Sequence, residues 1–390
     1  MPNNESNTAE YTQKCPLQAQ AWIDGQLVAE SQAALRIEAP NTMPILCFPQ
    51  ADLRTKLPTD EEVLRTPVPE GYVAFNHENA RVQVLLVDPM GPDERDRTTK
   101  RFPTWGDVDH LVNILDVRPD GNGGYVSTTR DNSASNHRGV VEGSQMLGQA
   151  IVAAGRHAPG RRTVHASMVF MRAADAAVPL HFSLEQQQGG RTFSTLAVKV
   201  TQNDRLCASG ILLLDATAES VMNHSAEPPA TKGPYASVPF DMNVTGRDLR
   251  IVDGAYTSDP DAPVGPPIID AWMRYLRVPA DPYLHAALVA QFTGHLSIAA
   301  AMRPHAGFGE VQAHRTLSTA INAINISLHA DIRADEWMLV RHLSTFSGAG
   351  MTHSECRVHN EAGQLLASFS VDAMVRPMPK RHQVNERTSL

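Results

Sequence analysis

The sequence predicts an α+β fold in which two central helices are each wrapped by an antiparallel sheet, behind a small N-terminal β-rich unit. Three observations carry this expectation. The turn Glu142-Gly143-Ser144 opens directly into a stretch where Met146, Leu147, Ala150, Ile151, Ala153 and Ala154 leave almost no polar face. A helix apolar nearly all round must be buried, and its small residues let neighbours approach closely. Strand-like segments surround it: RTVHASMVFMRA, AVPLHFSLEQQQ, RTFSTLAVKVTQ and RLCASGILLLDA. The same order, strand then helix then strands, recurs in the second half. There IIDAWMRYLRV precedes the helical YLHAALVAQFTGHLSIAAAM, and TLSTAINAINISLHADI, EWMLVRHLSTFSGAGMTHSECRVHN and QLLASFSVDAMVRPM follow as three strands. Gln149 and Gln291 fall at similar depths in the two helices, as expected of a duplicated unit.

The elements divide the chain as follows. Residues 1–17 read as a polar, disordered tail. Residues 18–90 form a small β-rich domain, with Asp24-Gly25 as the turn of a hairpin between alternating strands. Residues 91–104, GPDERDRTTKRFPT, read as a charged, proline-flanked linker. The first repeat covers 105–216 and starts with WGDVDHLVNILD, a short amphipathic helix. Residues 217–264 are a connection whose first part is rich in Ala, Pro, Ser and Lys. The second repeat covers 265–378, where Pro282 suits the first position of its helix. A tail, 379–390, ends the chain.

Bulk composition narrows the function classes. The chain has 390 residues, 42% hydrophobic and 19% charged, with a net charge of −8. That balance suits a folded protein with a sizeable core and argues against a general nucleic-acid binder. The N-terminus lacks the apolar run of a secretory signal, and no uninterrupted apolar stretch long enough for a membrane span stands out. Cys15, Cys47, Cys207 and Cys356 are far apart with no C-x-x-C, which points to reduced thiols in a cytoplasmic protein and to no metal site. No phosphate loop, dinucleotide fingerprint or serine-nucleophile elbow is present. Gly121-Asn122-Gly123-Gly124 reads as a turn.

Several motifs resemble the acyl-CoA thioesterase II family, whose members carry two hot-dog repeats in one chain. RGVVEGSQMLGQA resembles the family's helix start. His285, Pro304-His305, His329, Arg333 to Trp337 (RADEW), Gly363 to Ser368 (GQLLAS) and Met374 to Arg376 match landmarks of its second repeat. The resemblance spans about 105–378. It implies a double hot-dog fold, an acyl thioester of CoA or of an acyl carrier as substrate, no cofactor, and a homo-oligomer. Residues 18–90, with their W-x-D-G and C-F-P patterns, are similar to a small bacterial β-domain of unknown function. The family activates water with an Asp, a Ser or Thr, and a Gln. The landmarks place Gly294, Ile321 and Val371 at those positions, so the resemblance implies a non-standard active site.

Candidates for that site follow from chemistry. Hot-dog pockets lie where a helix N-terminus meets the partner repeat, and backbone N–H groups there polarise a carbonyl. Gly143, Ser144 and Gln145 supply that helix start, with Asn136 and His137 just before it. Glu142 is the candidate base. Gln291 and His295 flank Gly294 and are candidates to orient water or move a proton. In the strand around INAINIS, Thr319, Asn325 and Ser327 share the pleat parity of Ile321, and Thr319 and Asn325 are the remaining catalytic candidates. The function expected is acyl-CoA hydrolysis. A hot-dog lyase, isomerase or cyclase on a specialised acyl or polyketide-like substrate, and a non-catalytic acyl-binding module, are the alternatives.

Overall fold

The structure, a computed structural model, describes residues 11–15, 18–38, 45–56, 59–65, 68–77, 79–88, 98–102, 109–127, 140–176, 178–216, 218–240, 247–256, 259–275, 278 and 280–378. The chain divides into two compact units, Met1–Asp107 with Asp241–Arg247, and Val108–Phe240 with Asp248–Leu390.

The first unit is built from strands β1 (Tyr11–Lys14), β2 (Gln18–Ile23), β3 (Gln26–Ser31), β4 (Leu35–Glu38), β5 (Ile45–Pro49), β6 (Tyr72–Ala74), β7 (Val82–Asp88) and β8 (Thr98–Phe102). They form two sheets ordered β1-β4-β5-β6 and β3-β2-β7-β8. Asp24 and Gly25 both take positive φ, 49° and 78°. This is the left-handed pair that closes a two-residue hairpin, and Ile23 faces Gln26 across it. The core holds Ala19, Ala21, Val84 and Leu86, with Phe48 and Phe75 edge to face at 5.3 Å. Two strands differ from expectation: β1 lies in the stretch read as a tail, and β8 lies in the stretch read as a linker.

The second unit begins with helix α1 (Asp109–Leu115), then β9 (Val117–Pro119), β10 (Tyr125–Ser127), β11 (Val140–Val141) and the long helix α2 (Gly143–His157). Next come β12 (Arg162–Phe170), β13 (Ala174–Asp175), β14 (His181–Gly189), β15 (Phe193–Gln202) and β16 (Arg205–Asp215). The stretch 217–264, read as a connection, itself contributes β17 (Val238–Pro239) and β18 (Arg247–Ile251), and β19 (Ile268–Tyr275), α3 (Pro282–Phe292) and α4 (Ser297–Met302) follow. The chain closes with β20 (Leu317–Leu328), β21 (Met338–Gly348), β22 (Met351–Asn360) and β23 (Leu365–Pro377).

All but β11 and β13 of these strands join one sheet, ordered β17-β18-β19-β21-β22-β23-β20-β12-β16-β15-β14-β10-β9. The order shows the duplication directly. Outward from the β12–β20 junction, each half presents the first, last, third and second long strand after its helix. Next come β19, the strand just before α3, on one side and β10, the second strand before α2, on the other. The junction is antiparallel, from His165 opposite Ser327 to Val169 opposite Ala323. The fold is therefore the double hot-dog with a small β-rich N-terminal unit.

The two helices pack antiparallel through glycines. A Cβ on Gly148 would lie 2.9 Å from the Ala287 carbonyl oxygen and 2.8 Å from Leu115, and one on Gly155 would lie 2.6 Å from Tyr283. From Ser144 to Gly155 every residue of α2 is buried. The segment Pro282–Met302 is long and apolar enough to cross a membrane by composition, yet 83% of the apolar 18-residue stretch within it is buried inside the protein, which makes it a core element.

The helix expected over 283–302 is broken. Thr293 to Leu296 interrupt it, and Leu296 adopts φ 63°, a left-handed conformation that ends one helical direction and starts α4. The strand expected from Glu336 to Asn360 is a hairpin. Ala349 and Gly350 take φ 52° and 74° and reverse the chain between β21 and β22. A third difference bears on the site. Along β20, Ile321 pairs with Ala373 but Ala323 pairs with Asp372, so Asn322 is an extra residue in a β-bulge. Beyond it the pleat parity inverts. Ile324, Ile326 and Leu328 are buried, while Asn325 and Ser327 are only half-buried on the other face.

Gly148 is a direct test of the helix pair. Its contact is with backbone, which cannot rotate away. Gly148→Val is expected to cost about 1–3 kcal/mol through overpacking, seen as a melting temperature lower by several degrees. An unchanged or raised melting temperature would show that the helices do not approach this closely.

Candidate active site

The head of α2 organises the site. Glu142 is its N-cap residue, extended at φ −69° and ψ 143°, and its side chain makes no capping bond. The carboxylate instead reaches the broken helix of the other repeat, where its Oε2 lies 3.8 Å from Nε2 of His295. Glu142 is 39% exposed and His295 only 8%, so the pair sits at the boundary between water and core. The Gln145 and Met146 N–H groups already donate to the Glu142 carbonyl. Gly143 and Ser144 carry the first two N–H groups of the helix, ahead of that ladder, where the helix field favours negative charge. Gly143 must be glycine, because a Cβ there would touch the Phe170 ring at 2.9 Å. Gln145 is buried one residue further in.

The opposite wall comes from the break after α3. A Cβ on Gly294 would fall 2.4 Å from Ser144 Oγ and 3.1 Å from Ile321 Cδ1. Gly294, Ser144 and Ile321 thus meet, although they come from a helix break, a helix start and a strand. Val371 is fully buried on β23, opposite Ile324 and further along the sheet. Gln291, one turn before Gly294, is buried with its Oε1 unpartnered. Its counterpart Gln149 donates Nε2 to the Ile114 carbonyl at 2.8 Å and likewise leaves its Oε1 unpartnered.

Thr319 and Asn325 separate. Thr319 is buried and its Oγ1 lies 3.1 Å from His314 Nε2. Asn325, beyond the bulge, accepts from Ser167 Oγ at 2.6 Å and donates to Ser370 Oγ at 3.3 Å on the outer face of the sheet. The shared parity expected for Thr319, Ile321, Asn325 and Ser327 therefore fails, because one extra residue turns the last two outward. Asn136 and His137 lie outside the described residues.

Sequence reasoning missed the support behind His295. Its ring stacks on Phe292 at 5.4 Å with 7° between planes, and Phe292 meets His342 edge-on at 6.0 Å. His342 Nδ1 lies 3.1 Å from Ser297 Oγ and 3.5 Å from Cys356 Sγ. Burial, reinforced by nearby His295, pushes the His342 pKa down to about 3, and burial pushes the Cys356 thiol up to about 12. Both groups are neutral, so the cluster fixes the break without placing charge in the core. All four cysteines are buried and none of them forms a disulfide. His342 and Cys356 do sit in the sequence as polar interruptions of apolar strands, but nothing there says that they meet.

The motifs that mark the second repeat are structural. His285 Nδ1 accepts the Ala334 N–H at 2.9 Å, binding the start of α3 to the RADEW segment. Two buried guanidinium groups lie over the Trp337 ring, Arg250 at 5.1 Å and Arg274 at 4.5 Å. His329 Nε2 lies 3.0 Å from Ser368 Oγ.

Comparison with known proteins agrees with this architecture. The family model of the acyl-CoA thioesterase N-terminal domain matches residues 132–214, and that of the C-terminal domain matches residues 223–370. Together they cover more than half of the chain. The chain belongs to the acyl-CoA thioesterase family. Acyl-coenzyme A thioesterase 8 of rat is 23% identical over 275 residues, covering 61% of this chain and 81% of its own length. The human protein of that name is 23% identical over 278 residues, with the same coverage. Among solved structures, a tesB protein of Mycobacterium avium subspecies paratuberculosis superposes with TM-score 0.59 at 20% identity, over 70% of this chain and 100% of its own. An acyl-CoA thioesterase II of Mycobacterium marinum gives TM-score 0.57 at 22% identity, over 70% and 98%. These structural likenesses establish the shared fold. In this thioesterase-family chain, the N-terminal match contains the whole of α2, and the C-terminal match contains the whole of α3.

The buried His342 has a consequence for stability. Its folded pKa lies below the ordinary 6.5, so in acid the unfolded chain binds a proton that the folded chain refuses. The stability is complete above about pH 6.5 and declines as pH falls toward about 3, by at most about 1.4 kcal/mol per pH unit for one proton. Urea unfolding at pH 7 and pH 5 is expected to show a smaller loss in His342→Phe than in wild type. Equal losses would remove His342 as the cause.

Proposed function

We propose that this chain hydrolyses acyl-CoA thioesters at the head of α2, with Glu142 and His295 as its proton-handling pair. The observation that carries the proposal is their juxtaposition at 3.8 Å across the two repeats. The helix field by itself favours a carboxylate at this position; its reach toward His295 in place of a capping bond is what supports the reading. The substrate class is that of the family and of the relatives named as acyl-coenzyme A thioesterases.

The reaction adds water across the C–S bond and yields a carboxylic acid and free CoA thiol. The thioester carbonyl oxygen faces the Gly143 and Ser144 N–H groups, which stabilise the negative charge that develops as water attacks. Glu142 takes a proton from the water and delivers it to the departing thiolate, while His295 holds the carboxylate in place. A separation of 3.8 Å is long for a hydrogen bond, as expected of a site that tightens around its substrate. The proposal includes loss of the family's water-activating groups, since Gly294, Ile321 and Val371 offer no polar side chain. Aliphatic Ile321 lines the site instead and suits the acyl group.

Free-thiol release from a panel of short, medium and long acyl-CoAs tests this. Wild type is expected to turn over at least one chain length well above background. Glu142→Gln is expected to lower kcat by about 10²- to 10⁴-fold with KM little changed. Absence of thiol release across the panel, or a Glu142→Gln variant as fast as wild type, would sink the proposal. Tight acyl-CoA binding without release would favour a binding module.

A further inference from the structure

The outer face of the large sheet, turned away from the helices, is not built like a solvated surface. The strand registers lay its side chains out in two rows that cross the strands. The first runs Asp270, Arg341, Arg357, Ser368, Ser327 and His165, from β19 through β21, β22, β23 and β20 to β12. The second, two residues along each strand, runs Leu343, Glu355, Ser370, Asn325 and Ser167 and ends at Ile211 on β16. The residues between the rows, His342, Cys356, Phe369, Ile326 and Ala166, are buried toward the helices. Over β20 to β23 they leave a trough of about 470 Å³ bordered by both rows.

The polar groups of this face are largely satisfied within it. His165 Nδ1 lies 3.1 Å from Ser327 Oγ, Ser167 Oγ donates to Asn325, Asn325 donates to Ser370, and Ser368 Oγ meets His329. Arg341 is held by Asp270 through two bonds of 2.7 Å, and His353 by Asp372 at 2.7 Å. Covering such a face breaks few bonds to water that the protein does not already replace. Val169, Ile211 and Phe346, each about half exposed, share it. Two charges stand apart. Glu355 and Arg357 are exposed on β22, of opposite sign, and neither has an ion-pair partner among the described residues. The face is also large enough to hold a partner. Seven strands, β21 to β15, about 4.8 Å apart and counted over seven residues at about 3.3 Å each, present roughly 770 Å². A standard interface takes about 800 Å² from each partner.

We propose that a second copy of this chain docks here, sheet on sheet, about a two-fold axis lying along the buried row between the two outward ones. The proposal does not rest on the hydrolase reading. In a two-fold interface, residue i meets residue j while j meets i. Rotation about this axis exchanges the rows, so Glu355 of each copy faces Arg357 of the other, twice per dimer. Ser368 faces Ser370, Ser327 faces Asn325, and Arg341 faces Leu343, so no like charges oppose one another. The trough runs along the axis and leaves the two long side chains room to cross. A two-fold axis parallel to the strands would keep each charge within its own row, so the opposite charges select the axis across them. Strands of the two sheets then run in line, the common way for sheets to pack face to face.

Sedimentation velocity of the full chain over a micromolar concentration series tests the proposal, with circular dichroism of each variant to confirm folding. Wild type is expected to dimerise. Glu355→Arg sets arginine against arginine at both ends of the contact and is expected to weaken the dimer at least about 100-fold. The substitution reduces the net negative charge, so a general charge effect would strengthen association instead. The double variant Glu355→Arg with Arg357→Glu restores opposite charges across the axis and is expected to dimerise within about tenfold of wild type. Wild type that stays monomeric at every concentration would overturn the proposal and leave the face to another partner. A Glu355→Arg dimer as tight as wild type would place the second copy on another surface. A double variant as weak as the single one would show that the two charges do not face each other. Each of these results overturns the proposal and leaves the assignment of Glu142 and His295 untouched.

Discussion

The close antiparallel contact between α2 and α3 is the constraint on which the second unit depends. Gly148 and Gly155 let the helices approach until one backbone touches the other helix. That approach fixes which residues face each other. It sets Ser144 against Gly294 at one end and Gly155 against Tyr283 at the other. The sheet then closes around this helix pair. The polar chemistry is displaced to the end of the pair, where α2 begins and α3 breaks. Close packing of this kind transmits small displacements directly, because interiors have little free volume.

The site obeys a second rule, that charge stays at the rim and neutral polar groups stay inside. Glu142 is the charged residue best exposed to solvent. His295 lies behind it, and behind His295 come Phe292, His342, Ser297 and Cys356, all uncharged in the folded protein. Burial makes the imidazole of His342 a poor base and the thiol of Cys356 a poor acid, which leaves them as hydrogen-bonding spacers. Their value is positional. The left-handed Leu296 gives the chain an unfavourable local conformation, and the Ser297–His342 contact secures the segment that follows it.

Much of the fold was legible in the sequence, and for identifiable reasons. The all-round apolar character of 143–157 required burial, the Asp24-Gly25 pair required a tight turn, and the recurring element order pointed to duplication. In the second unit the misses were local interruptions. The break at 293–296, the reversal at Ala349-Gly350 and the bulge at Asn322 each insert one unusual backbone conformation into an otherwise regular pattern. Apolar periodicity runs across such points. Gly294 and the Gly348-Ala349-Gly350 run were the available signals, but glycine in a helix or strand pattern is ambiguous. The bulge carried none, and it alone turned Asn325 away from Thr319 and Ile321.

By itself the sequence determined the double hot-dog class and the family, and it picked out the buried helix at whose head the proposed site lies. These follow from short-range patterns, where residue spacing already encodes burial. Only the tertiary structure decided which candidates meet. Glu142 and His295 are 3.8 Å apart, and Ser144 faces Gly294, because two helices from different repeats pack at one register. Asn325 and Ser327 face outward because of a bulge. Register between distant segments comes from the summed fit of many side chains and glycine contacts, and no local stretch of sequence contains that sum.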